Sequence, residues 1–413
     1  MSAINVLAVP DQQARRKPTV NSPTSAYNVS VGYLRAFITL MVVAHHAVLA
    51  YHPYAPAPPS TLIAVPRIWQ AFPVVDSQRS TLFALFVGFN DIFFMALMFF
   101  LSGLFVWKSL ERKGAGIFLG HRAVRLGLPF LISAALVAPL AYCPTYLQSR
   151  APGSASGFWR QWFSLGNWPS GPAWFVWVLL AFDALAAVLL AALPHWGESL
   201  GRLTCGADRR PALLFVILLL VSAVAYVPLA LIFTPFRWSA WGPFTFQTSR
   251  GLNYLIYFLL GAGVGAYGHD RGLLSRAGQL ARRWWLWCLA ALLAFCVATA
   301  VGLAAFAAHL GSRNWEVAAD STFVLSCAAS SFAFLAIFVR FAGTRRKMWD
   351  SLTANAYGIY LIHYAFVTWL QLGLLKWQLP AIAKGTVVTI AAVLLSWGVT
   401  AGLRRIPAVG RVI

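Results

Sequence analysis

The stretch from residue 33 to residue 51, YLRAFITLMVVAHHAVLAY, constrains the fold most strongly. It is apolar and just long enough to cross a bilayer as a helix. Yet it carries Arg35 near its start and the pair His45 and His46 deep inside. Because an ionisable side chain is costly at membrane depth, these residues are candidate functional residues.

Arg35 and His46 are predicted to project from nearly the same face of this helix. At about 100° per residue, their spacing ends roughly 20° beyond three full turns, and the rise separates them by about 16 Å. His45 is expected to point roughly 100° away. We therefore expect one face to offer a cation at the membrane edge and an imidazole near mid-membrane.

The composition indicates a membrane protein with several spans. Of 413 residues, 60% are hydrophobic and only 10% are charged, which excludes an ordinary soluble domain. The net charge of +21 would suggest nucleic acid in a soluble protein, but here the basic residues lie in short loops between apolar spans. Eleven acids against 32 Lys and Arg argue against a proton-driven pump. The five cysteines form no Cys/His metal spacing, so no metal is expected.

The hydropathy pattern predicts an all-α, polytopic membrane helix bundle of about ten transmembrane helices. The predicted spans are residues 33–51, 82–107, 123–142, 173–193, 212–233, 252–268, 284–309, 321–341, 355–375 and 383–403. With both termini inside, the inner loops and tails hold more than twice as many Lys and Arg residues as the outer loops. This bias predicts an N-in, C-in orientation.

The same pattern predicts one large domain between two tails. Residues 1–30 are polar and contain Pro and Ser, which is typical of a disordered cytoplasmic tail. Residues 31–404 form the transmembrane domain, and residues 405–413 form a short cytoplasmic tail.

A basic cluster is predicted on the cytoplasmic side, where the third span starts. Arg122 and Arg125 are spaced to share one helix face, and the positive end of the helix would add to their charge. With Lys108 they would form a site for a phosphorylated cytosolic molecule. Anchoring by the positive-inside rule explains the same residues, and both interpretations stay open.

Other features of the sequence have more than one interpretation. His363 lies within the ninth span and faces either a functional interior or a structural partner. Asp91, in the outer third of the second span, could orient His46, receive a sugar hydroxyl, or pair with a basic group. Asp183 is the other acid placed within a span. The aromatic outer loops, such as residues 234–251, suit a sugar or form an interfacial belt.

Several motifs together resemble the acyltransferase-3 family of membrane acyltransferases. They are the Arg-x10-His spacing of Arg35 and His46, FFLSGLFVW at 99–107, R-x-x-R-L-x-x-P at 122–129, PAWFVWVLL at 172–180 and YGIYLIH at 357–363. The resemblance runs from residue 33 to about 403. The FxxF-SG segment and the R-x-x-R-x-G-x-P run are also similar to the glucan-modifying succinyltransferase branch.

The resemblance implies an enzyme of the bacterial-type inner membrane. Such an enzyme moves an acyl group, acetyl or succinyl, from cytosolic acyl-CoA to a hydroxyl of an extracytoplasmic or lipid-linked carbohydrate. It implies that His46 is the catalytic base, that Arg35 is the family's arginine of the first span, and that Arg122 and Arg125 bind the donor. One departure is Ala356, where the family often has Ser. The competing hypothesis is a transporter or flippase for a glycan or lipid, for which the sequence shows neither symmetric halves nor abundant intramembrane acids.

General chemistry is consistent with that implication. A neutral imidazole can take the proton from a hydroxyl as its oxygen attacks a thioester carbonyl. An activated thioester needs no metal, so acyl-CoA is the only co-substrate expected. Arg35 is too far from His46 to tune it and is expected to contact the donor phosphates or an acidic side chain. The candidates for stabilising the oxyanion are Ser102, Asn90 and Tyr357.

Overall fold

The computed structural model describes residues 29–149, 153–307 and 312–413. The chain forms an all-α membrane bundle that is 77% helical, as predicted. The predicted tail of residues 1–30 lies outside the described residues, except that residues 29 and 30 already belong to the first helix. The domain boundaries therefore stay a prediction.

The first half of the chain is almost entirely helical. The helices of the first half are α1 (Val29–Val48), α2 (Thr81–Gly103), α3 (Val106–Lys113), α4 (Ala115–Arg122), α5 (Leu128–Ile132), α6 (Ala138–Gln148), α7 (Ala155–Phe163), α8 (Trp174–Ala192) and α9 (Trp196–Thr204). A 3-10 turn, Leu49–Tyr51, extends α1. π-helical segments Ala123–Gly127 and Ser133–Val137 join α4, α5 and α6 into one rod.

The second half adds one β-hairpin to a further set of helices. They are α10 (Pro211–Phe233), β1 (Trp238–Trp241), β2 (Phe244–Gln247), α11 (Gly251–Tyr267), α12 (Gln279–Arg282), α13 (Trp284–Ala307), α14 (Arg313–Phe341), α15 (Lys347–Leu374), α16 (Ala381–Leu403) and α17 (Pro407–Gly410). The hairpin is antiparallel, with Trp238 opposite Gln247. It falls in a predicted outer loop, residues 234–251, for which no strand was predicted.

Among the described residues, eight helices or continuous helical rods are long and apolar enough to cross a membrane. Two others coincide with predicted spans: α11, which is a shorter apolar helix, and α15, which carries more polar side chains. Both α14 and α15 begin eight residues before the predicted spans. The prediction missed these residues because the first turns are polar and hydropathy does not detect them. The number of crossings and the orientation stay predictions.

The helices divide into an interior set and a peripheral set. In the most apolar windows of α1 and α14, 67% of residues are buried, whereas in those of α10, α13 and α16 only 17–22% are. Because lipid covers an apolar helix as well as protein does, the peripheral helices expose leucine and valine without cost. The functional side chains are therefore to be sought on the interior set.

Close contact between α2 and α11 depends on glycine. A side chain at Gly103 would collide with the backbone of Phe258, and one at Gly265 would collide with the backbone of Leu104. Small residues allow two membrane helices to approach until their backbones touch. This contact fixes α2 in the centre of the bundle.

The α4–α6 rod contains prolines, and side chains of α15 compensate for two of them. A proline lacks the N–H that would bond the carbonyl four residues earlier. Pro129 leaves the Arg125 carbonyl without a partner in the helix, and the Tyr357 hydroxyl donates to this carbonyl at 2.8 Å. In the same way, Pro144 leaves the Leu140 carbonyl without a partner in the helix, and the Trp369 indole N–H donates to it at 2.9 Å. These two bonds fix the register of α15 against the rod.

The loop between α1 and α2, a predicted outer loop, is held by a buried ion pair. Lys384 of α16 lies 2.6 Å from the Asp76 carboxylate, and both side chains are almost fully buried. The Asp76 amide also donates to the Ala50 carbonyl, at the end of the first span. The loop is thereby tied to the end of α1.

We predict that Trp369 and Pro144 are energetically coupled. Trp369→Phe removes the donor to the Leu140 carbonyl and should lower the free energy of unfolding by about 1 kcal/mol. In a Pro144→Ala background, the alanine N–H supplies that bond within the helix, so Trp369→Phe should cost less. Thermal unfolding of the four proteins of this double-mutant cycle in detergent measures the coupling. Equal losses in both backgrounds would show that the indole does not compensate for the proline.

Candidate active site

Two histidines from distant parts of the chain meet in the interior. His363 of α15 places its Nε2 atom 3.2 Å from the Nδ1 atom of His46 on α1. Each ring also has a backbone carbonyl beside its Nδ1 atom: Val42 at 2.9 Å from His46 and Tyr360 at 2.7 Å from His363. His363 is fully buried, and His46 is half-buried. The structure therefore brings together two of the histidines singled out in the sequence.

The contacts assign one tautomer to the neutral pair. A carbonyl oxygen only accepts, so each Nδ1 atom must carry the proton it donates. His363 Nε2 is then an acceptor, and the His46 Nδ1–H is shared between it and the Val42 carbonyl. This leaves the Nε2 atom of His46 unprotonated. That atom has no hydrogen-bond partner among the described residues, so it can act as a base.

The end of α1 is fixed by the same helix that carries His363. The Gln371 amide of α15 donates to the main-chain carbonyls of His46 and Ala47, at 2.9 and 3.0 Å. The Tyr364 ring packs edge-on against the His46 ring, with centroids 4.9 Å apart. Because the last carbonyls of a helix lack partners within the helix, Gln371 satisfies two of them while it positions His46.

A small cavity adjoins the histidines. Its volume is about 110 Å³, and α1 lines it with His45 and His46. From α2 come Asp91, Phe94 and Met95. The cavity therefore combines two imidazoles and a carboxylate with apolar walls.

The remaining wall comes from segments that follow the predicted outer ends of the spans. They contribute Pro172, Trp174, Trp238 and Gln247, and α15 contributes Tyr360. Trp174 packs edge-on against Trp238, with ring centroids 5.5 Å apart. The β-hairpin that was missed in the sequence thus forms part of this cavity wall. Within the described residues a larger cavity, about 390 Å³, lies beside Arg209 and Arg210 but is otherwise lined by aliphatic residues, alanine and glycine.

The two adjacent histidines, His45 and His46, both lie in the last turn of α1, whose α-helical part ends at Val48. Their depth in a membrane stays a prediction. His45 also lines the cavity, although it leaves the helix at a different angle. It is buried and stacks on Phe94 with ring centroids 5.1 Å apart. Its Nδ1 atom has no partner within the described part of the chain.

Asp91 is paired with a basic group and does not touch His46. Its Oδ2 atom lies 2.7 Å from Arg250 Nη2, and Arg250 Nη1 also donates to the Asp91 carbonyl at 3.1 Å. The Arg250 side chain is buried and lies over the Phe323 ring. The pairing interpretation of Asp91 is therefore confirmed, and Arg250 is a partner that the sequence did not identify.

The predicted position of Arg122 and Arg125 at a helix start is wrong. The rod begins at Ala115, so both residues lie in its third turn, too far inside to gain from the helix dipole. Arg122 pairs with the fully buried Asp183, with Nε 3.1 Å from the carboxylate. Arg125 is exposed, with no ion-pair partner among the described residues.

The other two basic candidates lie in separate places. Lys108 is exposed on α3, near His269, whose pKa is lowered by burial and then by the Lys108 ammonium. Arg35 is half-buried in the second turn of α1, and its Nε atom has no partner in the described part of the chain. No acid among the described residues pairs with it. Its contact with an acidic side chain is therefore not observed.

The three candidates for stabilising an oxyanion do not line the cavity. The Ser102 hydroxyl donates to the Met98 carbonyl within its own helix, and the Tyr357 hydroxyl donates to the Arg125 carbonyl. Asn90 is fully buried, one residue from Asp91, and its amide has no partner in the described ranges. The sequence also missed Gln371, because a lone glutamine in an apolar helix gives no signal of what it contacts.

A comparison with known families assigns the class of protein that this bundle and its histidine pair define, an integral membrane acyltransferase. The model Acyl_transf_3, described as an acyltransferase domain, matches residues 28–401, nearly the whole chain. The protein belongs to this family, as the sequence motifs predicted, and it is an enzyme. The match does not distinguish the succinyltransferase branch. Searches of curated proteins and of solved structures found no match.

We predict that Gln371 positions His46. Gln371→Leu and Gln371→Glu both remove the amide N–H donors, and each should lower kcat about tenfold, the value of one or two hydrogen bonds. The donor KM should stay unchanged, because the substitution lies outside the cavity. Gln378→Leu, an exposed change in the connection after α15, serves as the control. A raised KM with an unchanged kcat would show that Gln371 has a different role.

Proposed function

We propose that this membrane acyltransferase transfers an acyl group, acetyl or succinyl, from cytosolic acyl-CoA to a hydroxyl of an extracytoplasmic or lipid-linked carbohydrate. The observation that carries the proposal is the contact between His46 and His363, which leaves a bare His46 Nε2 atom on a helix that lines the cavity. The family match supports acyl transfer and weighs against the transporter or flippase hypothesis. The proposed location is a bacterial-type inner membrane.

In the proposed reaction His46 is the general base. Its Nε2 atom takes the proton as the hydroxyl oxygen of the acceptor attacks the thioester carbonyl. The tetrahedral intermediate collapses, the carbon–sulfur bond breaks, and the thiolate of CoA receives the proton from His46. The products are the ester and free CoA, so the step needs no further reactant and no metal.

His363 is a positioning residue in this proposal. When His46 becomes an imidazolium, its Nδ1–H remains bonded to the Val42 carbonyl and to His363 Nε2. These acceptors stabilise the positive charge and hold the ring in place, as the acidic member does in other His-dependent acyl transfer.

The donor is proposed to approach from the opposite side of the bundle. Arg125 is exposed and Arg35 has an unpartnered Nε atom, so both can bond the phosphates of CoA. Arg122 neutralises Asp183 and is proposed to lie along the same path of the donor. Lys108 adds positive charge on this side. The Tyr357 hydroxyl bonds the Arg125 carbonyl, and His363 lies farther along the same helix. The rise along α15 from Tyr357 to His363 is about 9 Å. An extended pantetheine arm can cover that separation.

The acceptor is proposed to approach from the side of the hairpin. Trp174 and Trp238 give aromatic surfaces beside polar groups of Asp91 and Gln247, which suits a carbohydrate. Trp162, by contrast, is fully buried in an aromatic cluster. The Trp162 side chain therefore contributes packing and not a sugar-binding surface.

We predict that His46→Ala lowers kcat/KM for acyl transfer by about 10²- to 10⁴-fold, the usual contribution of a general base. His363→Ala should cost about tenfold, and His363→Gln should recover part of the loss because its side-chain oxygen can accept the His46 Nδ1–H. Release of CoA and acylation of envelope glycans are measured together in membrane vesicles. Wild-type activity in His46→Ala, with normal insertion, would overturn the proposed function.

We also predict that Arg125→Ala raises the donor KM about tenfold, because an ionic hydrogen bond to phosphate is lost. Arg125 is preferred to Arg122, since removal of Arg122 would leave Asp183 buried without a partner. Arg282→Ala, at another exposed basic position, is the matched control. The donor role of Arg125 would be refuted if both variants gave the wild-type KM in a titration with acetyl-CoA.

A further inference from the structure

The dimensions of the cavity beside His46 limit which hydroxyl can reach the base. Its volume of about 110 Å³ is smaller than that of an engineered apolar protein cavity, about 150 Å³, that admits a benzene ring. The carbonyl end of the thioester must occupy part of that space during transfer. A hydroxymethyl group and the carbonyl fit together, whereas a pyranose ring with its substituents does not.

Contacts on several sides oppose expansion of the cavity. The Tyr360 hydroxyl donates to the Pro172 carbonyl, which joins α15 to the start of α8. Asp91 is held by the buried Arg250, and His45 is stacked on Phe94. A buried wall that is hydrogen-bonded and close-packed does not open without loss of stability.

The space for a sugar ring lies at the tryptophans of the cavity wall. Trp238 is about half exposed, whereas Trp174 beneath it is buried. Tyr254 donates to Gln247 Oε1 at 3.1 Å, which directs the amide NH2 group of Gln247 to other partners. The ring can therefore rest on Trp238 and bond to Gln247 while one arm extends to His46.

We propose that the acceptor hydroxyl is a primary alcohol, the exocyclic hydroxymethyl group of a sugar or the end of a polyol chain, and not a secondary ring hydroxyl. This inference rests on the proposed function. The step itself is unchanged: the O–H proton goes to His46 Nε2, the ester C–O bond forms, and the thioester C–S bond breaks. The result is an ester on a CH2 carbon.

The position of the ester tests the inference even while the acceptor molecule is unidentified. Carbohydrate is isolated from envelopes of cells with and without the protein, and carbon multiplicity is assigned by NMR at each acylated position. We expect esters on CH2 carbons in at least about tenfold excess over esters on ring CH carbons. Esters mainly on ring CH carbons would overturn the inference while leaving the proposed function intact. Identical carbohydrate from both cells would instead refute the proposed function, and the inference with it.

A matched pair of methionine variants tests whether the cavity causes this selectivity. Met95 lines the cavity, whereas Met98 does not, and both are equally buried on α2. Met95→Ala enlarges the cavity and should lower the excess of CH2 esters at least about tenfold. Met98→Ala should keep the wild-type ratio at a similar cost in stability. An unchanged ratio in Met95→Ala would show that cavity size does not select the hydroxyl.

Discussion

The active site depends on the way α15 is hydrogen-bonded to its neighbours. In a bilayer, a carbonyl freed by proline has no water to bond, so a partner must come from the protein. Tyr357 and Trp369 supply that partner to the rod that contains Pro129 and Pro144, and Gln371 bonds the end of α1. His363 lies between these contacts on the same helix. Its position against His46 is therefore a consequence of how the prolines are satisfied.

The distribution of charge separates structural residues from those free to bind substrate. Asp183, Asp91 and Asp76 each have a basic partner, and in each pair at least one side chain is almost fully buried. Such pairs are retained because loss of one member would leave the other charged and buried. Arg35 and Arg125 have no acidic partner among the described residues. With the exposed Lys108, they are basic residues of the predicted donor side that remain available for an anionic substrate.

Much of the architecture could be predicted from the sequence. Continuous apolar segments leave only helices as an option in a membrane, and ten helices or rods coincide with the predicted segments. The polar ends were missed because hydropathy does not report a helix that continues beyond the bilayer, which is why Arg122 was placed at a helix start. The hairpin was missed because the sequence of a short aromatic loop does not indicate that its two halves pair as strands.

The candidate site was predictable only in part. A histidine in an apolar span attracts attention as a costly residue, so His46 and His363 could be found separately, and the family motifs carried both. Their contact could not be predicted, because periodicity along one helix says nothing about which helix packs against it. Arg250 and Gln371 were missed for the same reason. The sequence indicates which side chains are unusual, and tertiary packing determines their partners.

The central claim is that the free Nε2 atom of His46 is the base that receives the hydroxyl proton. The most direct measurement is an experimental structure of the protein with a thioether analogue of acetyl-CoA and a bound carbohydrate. The account predicts an acceptor hydroxyl within hydrogen-bond distance of His46 Nε2, with the carbonyl of the analogue beside it and His363 still on Nδ1. A carbonyl bound elsewhere, or a His46 ring whose Nε2 is bonded to protein, would contradict it.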